Sequence, residues 1–139
     1  MSNVTFLSYT EARKDFKDVL DAVESGRPVG VQRRSRRTAL VDADGLRSAL
    51  AHSRDLPQPV AVAEAGGWTM LIPGAPVAVD GSSFEDATDE FVLALREYAE
   101  DWVDRLHAVP NHALHWALIQ FVALSSDSQL ASWIRGDVE

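Results

Sequence analysis

Cysteine is absent from the 139-residue chain, which excludes disulfides, thiolate metal sites and cysteine nucleophiles and gives no pointer to an oxidising compartment. No long hydrophobic run is present either. The longest, around residues 116–124, falls far short of the roughly 20 apolar residues a bilayer demands, so no membrane partner is expected. Residues 1–9 show neither a basic start nor an apolar stretch, so no signal peptide is expected and the chain reads as cytoplasmic. A glycine-rich phosphate loop, a nucleophile elbow and a paired-carboxylate site are all missing, and the expectation is a non-enzyme without cofactors. His107, His112 and His115 lie close together, with Asp101 and Asp104 the nearest carboxylates. A metal needs a third ligand and an orienting shell around it, and none is expected here.

What is present is a folding composition, 46% hydrophobic and 24% charged. The length allows one ordinary domain or two very small ones, and small units gain from dimerisation because they bury little surface alone. The net charge of −8 conceals a split. Residues 1–56 hold 10 Lys/Arg against 8 Asp/Glu, whereas residues 57–139 hold 3 against 13. One half therefore suits a polyanion and the other does not.

The natural boundary is Leu56-Pro57-Gln58-Pro59, where two prolines disfavour helix. It separates a module over residues 1–55 from one over 60–139. In the first, Thr5 to Leu7 reads as a short strand, and Ser8 with Glu11 fits a capping box. A helix follows with Ala12, Phe16, Val19, Leu20 and Val23 on its inner face, ending at Gly26. Val29 to Arg33 and Arg37 to Val41 predict a hairpin across Arg34-Ser35-Arg36. Asp42 caps a second helix with Leu46, Ala49 and Leu50 inward. In the second module Val60 to Ala63 and Trp68 to Ile72 flank Gly66-Gly67, Val77 to Val79 adds a strand, and Ser83 caps a long helix reaching about His107. A helix from His112 to Leu124, apolar almost all round, and a last one ending at Gly136 complete the chain. The fold class is α+β, a strand-helix-hairpin-helix module followed by a small β-hairpin and helices.

The runs Leu7-Ser8-Tyr9-Thr10-Glu11-Ala12-Arg13, Pro28-Val29-Gly30-Val31-Gln32-Arg33 and Ala39-Leu40-Val41, in that order and spacing, resemble the Phd/YefM antitoxin fold. The resemblance implies a homodimer formed through the hairpin sheet that presents helix N-termini to operator DNA, with Arg13 in the first helical turn and Arg33 at the strand end. Arg33, Arg34, Arg36 and Arg37 put four like charges in five positions, which repel unless a polyanion compensates them. These five arginines are the expected DNA-binding residues.

The stretch Gly66-Gly67-Trp68-Thr69-Met70-Leu71-Ile72-Pro73, then Gly81-Ser82-Ser83-Phe84-Glu85-Asp86-Ala87, is similar to the HicB-type antitoxin pattern, although Pro73-Gly74-Ala75-Pro76 replaces that pattern's Leu-Pro-Gly. Phd/YefM members wrap their toxin with a disordered tail. Here the second half reads as folded, so the implied toxin partner meets an acidic surface bearing Trp102, Trp116, Phe121 and Trp133 as candidate anchors. The expected function is a type II antitoxin that binds its toxin and represses its own operon as a dimer or higher oligomer. A free-standing transcription regulator, with a ligand-sensing or oligomerising second module, is the alternative.

Overall fold

The computed structural model describes residue 4 and residues 6–137; Thr5, expected at the head of the first strand, lies outside the described residues. The architecture is mixed α+β, as expected, in two compact units that divide between Leu46 and Arg47.

The first unit opens with β1 (Phe6–Ser8), whose last residue caps α1 (Tyr9–Lys14). The capping box is present in both directions: Ser8 Oγ accepts from Glu11 N at 3.1 Å, and Ser8 N donates to the Glu11 carboxylate at 3.3 Å. The expected single helix is broken at Asp15, whose ψ of 36° departs from helical values, and α2 (Phe16–Glu24) resumes beyond it. Aspartate tolerates such a break because its short polar side chain favours non-helical local geometry. Gly26 adopts φ 91° just past α2, the left-handed stop expected of it. Strands β2 (Val29–Arg33) and β3 (Arg36–Leu40) form the hairpin, with a two-residue turn in place of the expected three. Arg34 enters that turn at φ 58°, the positive φ that tight hairpin turns require at their first central position. The sheet order is β1-β2-β3, with β1 parallel to β2.

Helix α3 (Ala43–Ala51) crosses the division between the units. Asp42 Oδ2 accepts from Gly45 N at 2.7 Å, so the expected cap holds. The inward residues differ from the amphipathic reading: Ala49 is exposed, while Arg47 is buried.

The second unit holds β4 (Val60–Glu64), β5 (Gly67–Leu71) and β6 (Ala78–Gly81), an antiparallel sheet in sequence order. Gly66 sits at φ 87° in the first hairpin, as the Gly-Gly signal predicts. Ser83 caps α4 (Phe84–Asp101) by accepting from Asp86 N at 3.0 Å. The helix does not run on regularly to His107. Residues Trp102–Leu106 form a π-helical turn, closed by His107 N donating to Trp102 O at 2.9 Å. Pro110 starts α5 (Pro110–Ala113) instead of ending a segment, because its missing N–H is no loss in a first helical turn. The chain then breaks at Leu114–His115 before α6 (Trp116–Leu124), where one helix from His112 was expected. Finally α7 (Asp127–Arg135) has its own Ser126–Gln129 capping box and stops at left-handed Gly136.

One cluster forms the core of this unit. Met70 and Ile72 come from the sheet region, Phe91 and Leu95 from α4, Leu118, Ile119 and Phe121 from α6, and Leu130 from α7. Among the described residues no helix is long and apolar enough to cross a membrane.

Candidate functional site

The hairpin tip of the first unit gathers the arginines. Register pairs Arg33 with Arg36 and Gln32 with Arg37, so strand alternation sends Arg33 and Arg37 to opposite faces. Each rests on an aromatic ring: Arg37 lies 4.0 Å from the Phe6 centroid and Arg33 lies 5.5 Å from that of Tyr9. A Cβ at Gly30 would collide with the Phe6 ring, so glycine there is what lets Phe6 lie across the sheet beneath Arg37. Arg33, Arg34, Arg36 and Arg37 are all exposed, and among the described residues none has a carboxylate partner. Cation–π stacking orients a guanidinium without neutralising it. Phe6, Tyr9 and Gly30 are the residues that sequence reasoning missed in this site.

Arg13 is exposed but stands in the last turn of α1 and not in the first. The break at Asp15 makes α1 only six residues long, and its capping box places the Glu11 carboxylate at its start. The helix-end geometry expected to receive an anion is therefore occupied by the chain's own acid.

Of the four candidate aromatic anchors, three belong to the core of the second unit. Trp102 is buried and its Nε1 donates to the His112 carbonyl at 2.8 Å. Phe121 is wholly buried, 4.9 Å from the Trp133 ring, and Trp133 is buried with it. Trp116 stays 54% exposed, two residues from the exposed Leu114. The fully apolar look of α6 thus has a simple cause: α4 packs against it, Trp133 of α7 lies on Phe121, and the core cluster buries Leu118, Ile119, Phe121 and Val122, leaving Trp116 at the rim.

Arg47 is the buried charge that the sequence reading overlooked. Its Nε donates to Ser125 Oγ at 2.7 Å, its guanidinium lies 5.0 Å from the Phe121 centroid, and Ser125 Oγ in turn donates to Phe121 O at 2.6 Å. Only its spacing of three and four from Leu50 and Ala51 hints at an inward position.

The histidines form a polar patch against α4. Tyr98 Oη and His112 Nδ1 are 2.8 Å apart, and the His115 ring sits edge-on to Tyr98 with centroids 6.2 Å apart. Burial raises the Tyr98 pKa. For His115, burial and then the neighbouring His112 lower the pKa, against a smaller opposing hydrogen bond with the Gly74 backbone. No group of three metal-binding side chains occurs among the described residues.

The comparisons with known proteins cover both units. A family model of PHD-like proteins, described as antitoxin of toxin–antitoxin, RelE/RelB, TA system, matches residues 1–134. A crystal structure assigned as the antitoxin part of a toxin/antitoxin system from Syntrophomonas wolfei superposes with a TM-score of 0.77 at 22% identity, covering 93% of this chain and 95% of that one. At that identity it establishes a shared fold. No curated protein matches. Since one family spans the arginine hairpin and the helical core alike, the chain belongs to the PHD-like antitoxins of toxin–antitoxin systems.

Proposed function

We propose that the chain is a type II antitoxin that neutralises its toxin by direct binding and represses its own operon as a DNA-binding dimer. The carrying observation is the hairpin tip, where four exposed arginines stand without a carboxylate partner among the described residues. A phosphate backbone supplies the missing counter-charge. Arg33, Arg34, Arg36 and Arg37 are the DNA-contacting set, with Arg13 contributing from the end of α1. The order strand, helix, hairpin, helix supports a Phd/YefM-type assignment of this half, and the Gly-Gly hairpin running into a capped helix supports a HicB-like one for the other.

Dimerisation is supported by what the first unit leaves uncovered. Phe16 and Leu20 of α2 and Val41 beyond β3 are exposed, and among the described residues only Ala12 and Val19 are buried hydrophobics of that unit. The second unit carries the acidic surface. Burial of Trp102, Phe121 and Trp133 leaves Trp116 as the aromatic anchor available to a toxin.

A salt titration on the promoter fragment tests the DNA arm. If Arg13, Arg33, Arg34 and Arg36 engage phosphates in both subunits, about eight are neutralised and the log–log slope approaches roughly −7. Affinity then falls by about 10⁴ between roughly 50 and 200 mM salt. Arg34→Ala or Arg36→Ala makes the slope shallower by about two per dimer and weakens operator and random DNA alike. No binding to the promoter even at low salt, with or without toxin, refutes repression by this hairpin.

A further inference from the structure

The π-helical turn at the end of α4 builds a surface that the fold itself does not use. Tyr98 and Trp102, four residues apart on one helical face, are buried; a π-helical turn starts at Trp102, and Val103 beside it faces outward, 61% exposed. Val103 lies in a groove of about 500 Å³ lined by Arg96, Ala99, Glu100, Val103, Asp104, Val122 and Ala123. Its floor is apolar. Its rim is acidic, and the one basic group there is already spent. Arg96 donates to Val122 O at 2.6 Å, to Ser125 O at 2.7 Å and to the Asp127 carboxylate at 2.8 Å, closing the end of α6. Glu100 and Asp104 have no ion-pair partner among the described residues; Arg105 pairs instead with Asp101, at 3.5 Å.

An exposed valine between two uncompensated carboxylates stabilises nothing in the isolated chain. Like charges so placed along a helix repel, and an exposed apolar floor gains only when covered. π-turns of this kind recur where a helix serves function beyond packing. A covering segment has to bring apolar contact for Val103, Ala99 and Ala123 and positive charge for Glu100 and Asp104. A second copy of the same groove brings more negative charge and is disfavoured.

We infer that this groove, apolar along Val103 and acid-rimmed by Glu100 and Asp104, receives a basic amphipathic segment of the cognate toxin. The inference rests on the toxin-binding reading above and names its surface.

The test uses the full-length antitoxin and the protein encoded by the toxin reading frame beside its gene, with binding followed by surface plasmon resonance. Glu100→Gln with Asp104→Asn is expected to slow association about tenfold at low salt, and the difference shrinks at high salt as rim charges are screened. Val103→Asn, at an exposed position that leaves the thermal transition unchanged, is expected to speed dissociation about tenfold, as for a partly buried anchor. A complex that forms with wild-type rates in all these variants overturns the groove while leaving toxin binding intact. Failure of the wild-type antitoxin to form any complex overturns both. Sedimentation of the antitoxin alone covers the remaining occupant: a shift to smaller species in Val103→Asn shows that a second copy fills the groove, and overturns the assignment to the toxin.

Discussion

The two units divide the chain's hydrophobic resources very unequally. Among the described residues up to Leu46 the buried hydrophobics are Ala12 and Val19, while the second unit draws Leu56, Phe91, Phe121, Leu130 and their neighbours into one cluster. The first unit still displays Phe16 at 47% exposure and Leu20 at 42%. An amphipathic stripe that its own chain leaves half in water stabilises only after association. The acidic half thus has an internally packed core, whereas the arginine-bearing half keeps part of its apolar stripe exposed.

The largest expected effect tests the packed half. Phe121→Ala removes a fully buried ring and is expected to destabilise by roughly 3 to 5 kcal/mol, whereas Phe16→Ala costs a monomer under about 1 kcal/mol, in keeping with a surface site. Chemical denaturation of each variant measures both. Equal losses break the comparison. Fragments sharpen it: residues 47–139 are expected to unfold cooperatively at a midpoint independent of concentration, and residues 1–55 to be folded only as a dimer, with a transition that moves with protein concentration. The longer fragment end matters because it keeps α3 whole behind its Asp42 cap, whereas Leu50, Ala51 and Leu56 pack in the core of the other half and Arg47 bonds Ser125 there.

The features legible in sequence are those decided by local chemistry. Ser8 with Glu11 and Ser83 announced two helix starts, Gly26 and Gly136 two helix stops, and Gly66-Gly67 a hairpin, since each signal acts within a few residues. Boundaries set by tertiary packing were not legible. Periodicity assigned Phe16 and Leu20 inward, yet both stand exposed. It ran α4 straight on to His107, where the chain instead takes a π-helical turn over Trp102–Leu106. The hairpin tip was legible as a cluster of charges, but its aromatic supports Phe6 and Tyr9 depend on cross-strand and strand-to-helix proximity that spacing alone does not encode. Among the four aromatics, spacing alone does not separate rim from core; Trp102, Phe121 and Trp133 join one buried cluster, and Trp116 stays outside it.

A smaller effect is expected at Arg47, the buried charge of the second unit. Replacing it with alanine leaves Ser125 Oγ without its 2.7 Å donor and uncovers one face of Phe121. The expected loss is roughly 2 to 3 kcal/mol, the range for a hydrogen bond to a charged group in a buried setting. Arg47→Lys is expected to recover only part of it, because an ammonium cannot both stack flat on the ring and donate from the Nε position. Full rescue by lysine, read from the same denaturation curves, shows that charge alone matters at this position.

The smallest effect separates the units by pH. All four histidines lie beyond the division, at positions 52, 107, 112 and 115, so only the second unit holds side chains that ordinarily titrate near neutrality. His115 is buried and its pKa is lowered, first by that burial and then by His112. A lowered pKa means that the unfolded chain binds this proton more readily than the folded one, so stability rises with pH across the interval between the two values. The contribution is complete above the ordinary histidine pKa of about 6.5 and is lost as pH falls below it towards the folded value. Melting temperature is therefore expected to drop between pH 7 and pH 5, with the loss confined to the transition of the second unit. His115→Gln, which keeps a polar side chain near the Gly74 backbone but carries no titrating ring, should flatten that part of the profile. Carboxylates titrate lower and leave their own slope in both proteins, so the difference between the two profiles isolates the histidine. An unchanged difference across this range shows that His115 takes up its proton in the folded unit as easily as in the unfolded chain, and removes pH from the contrast between the halves.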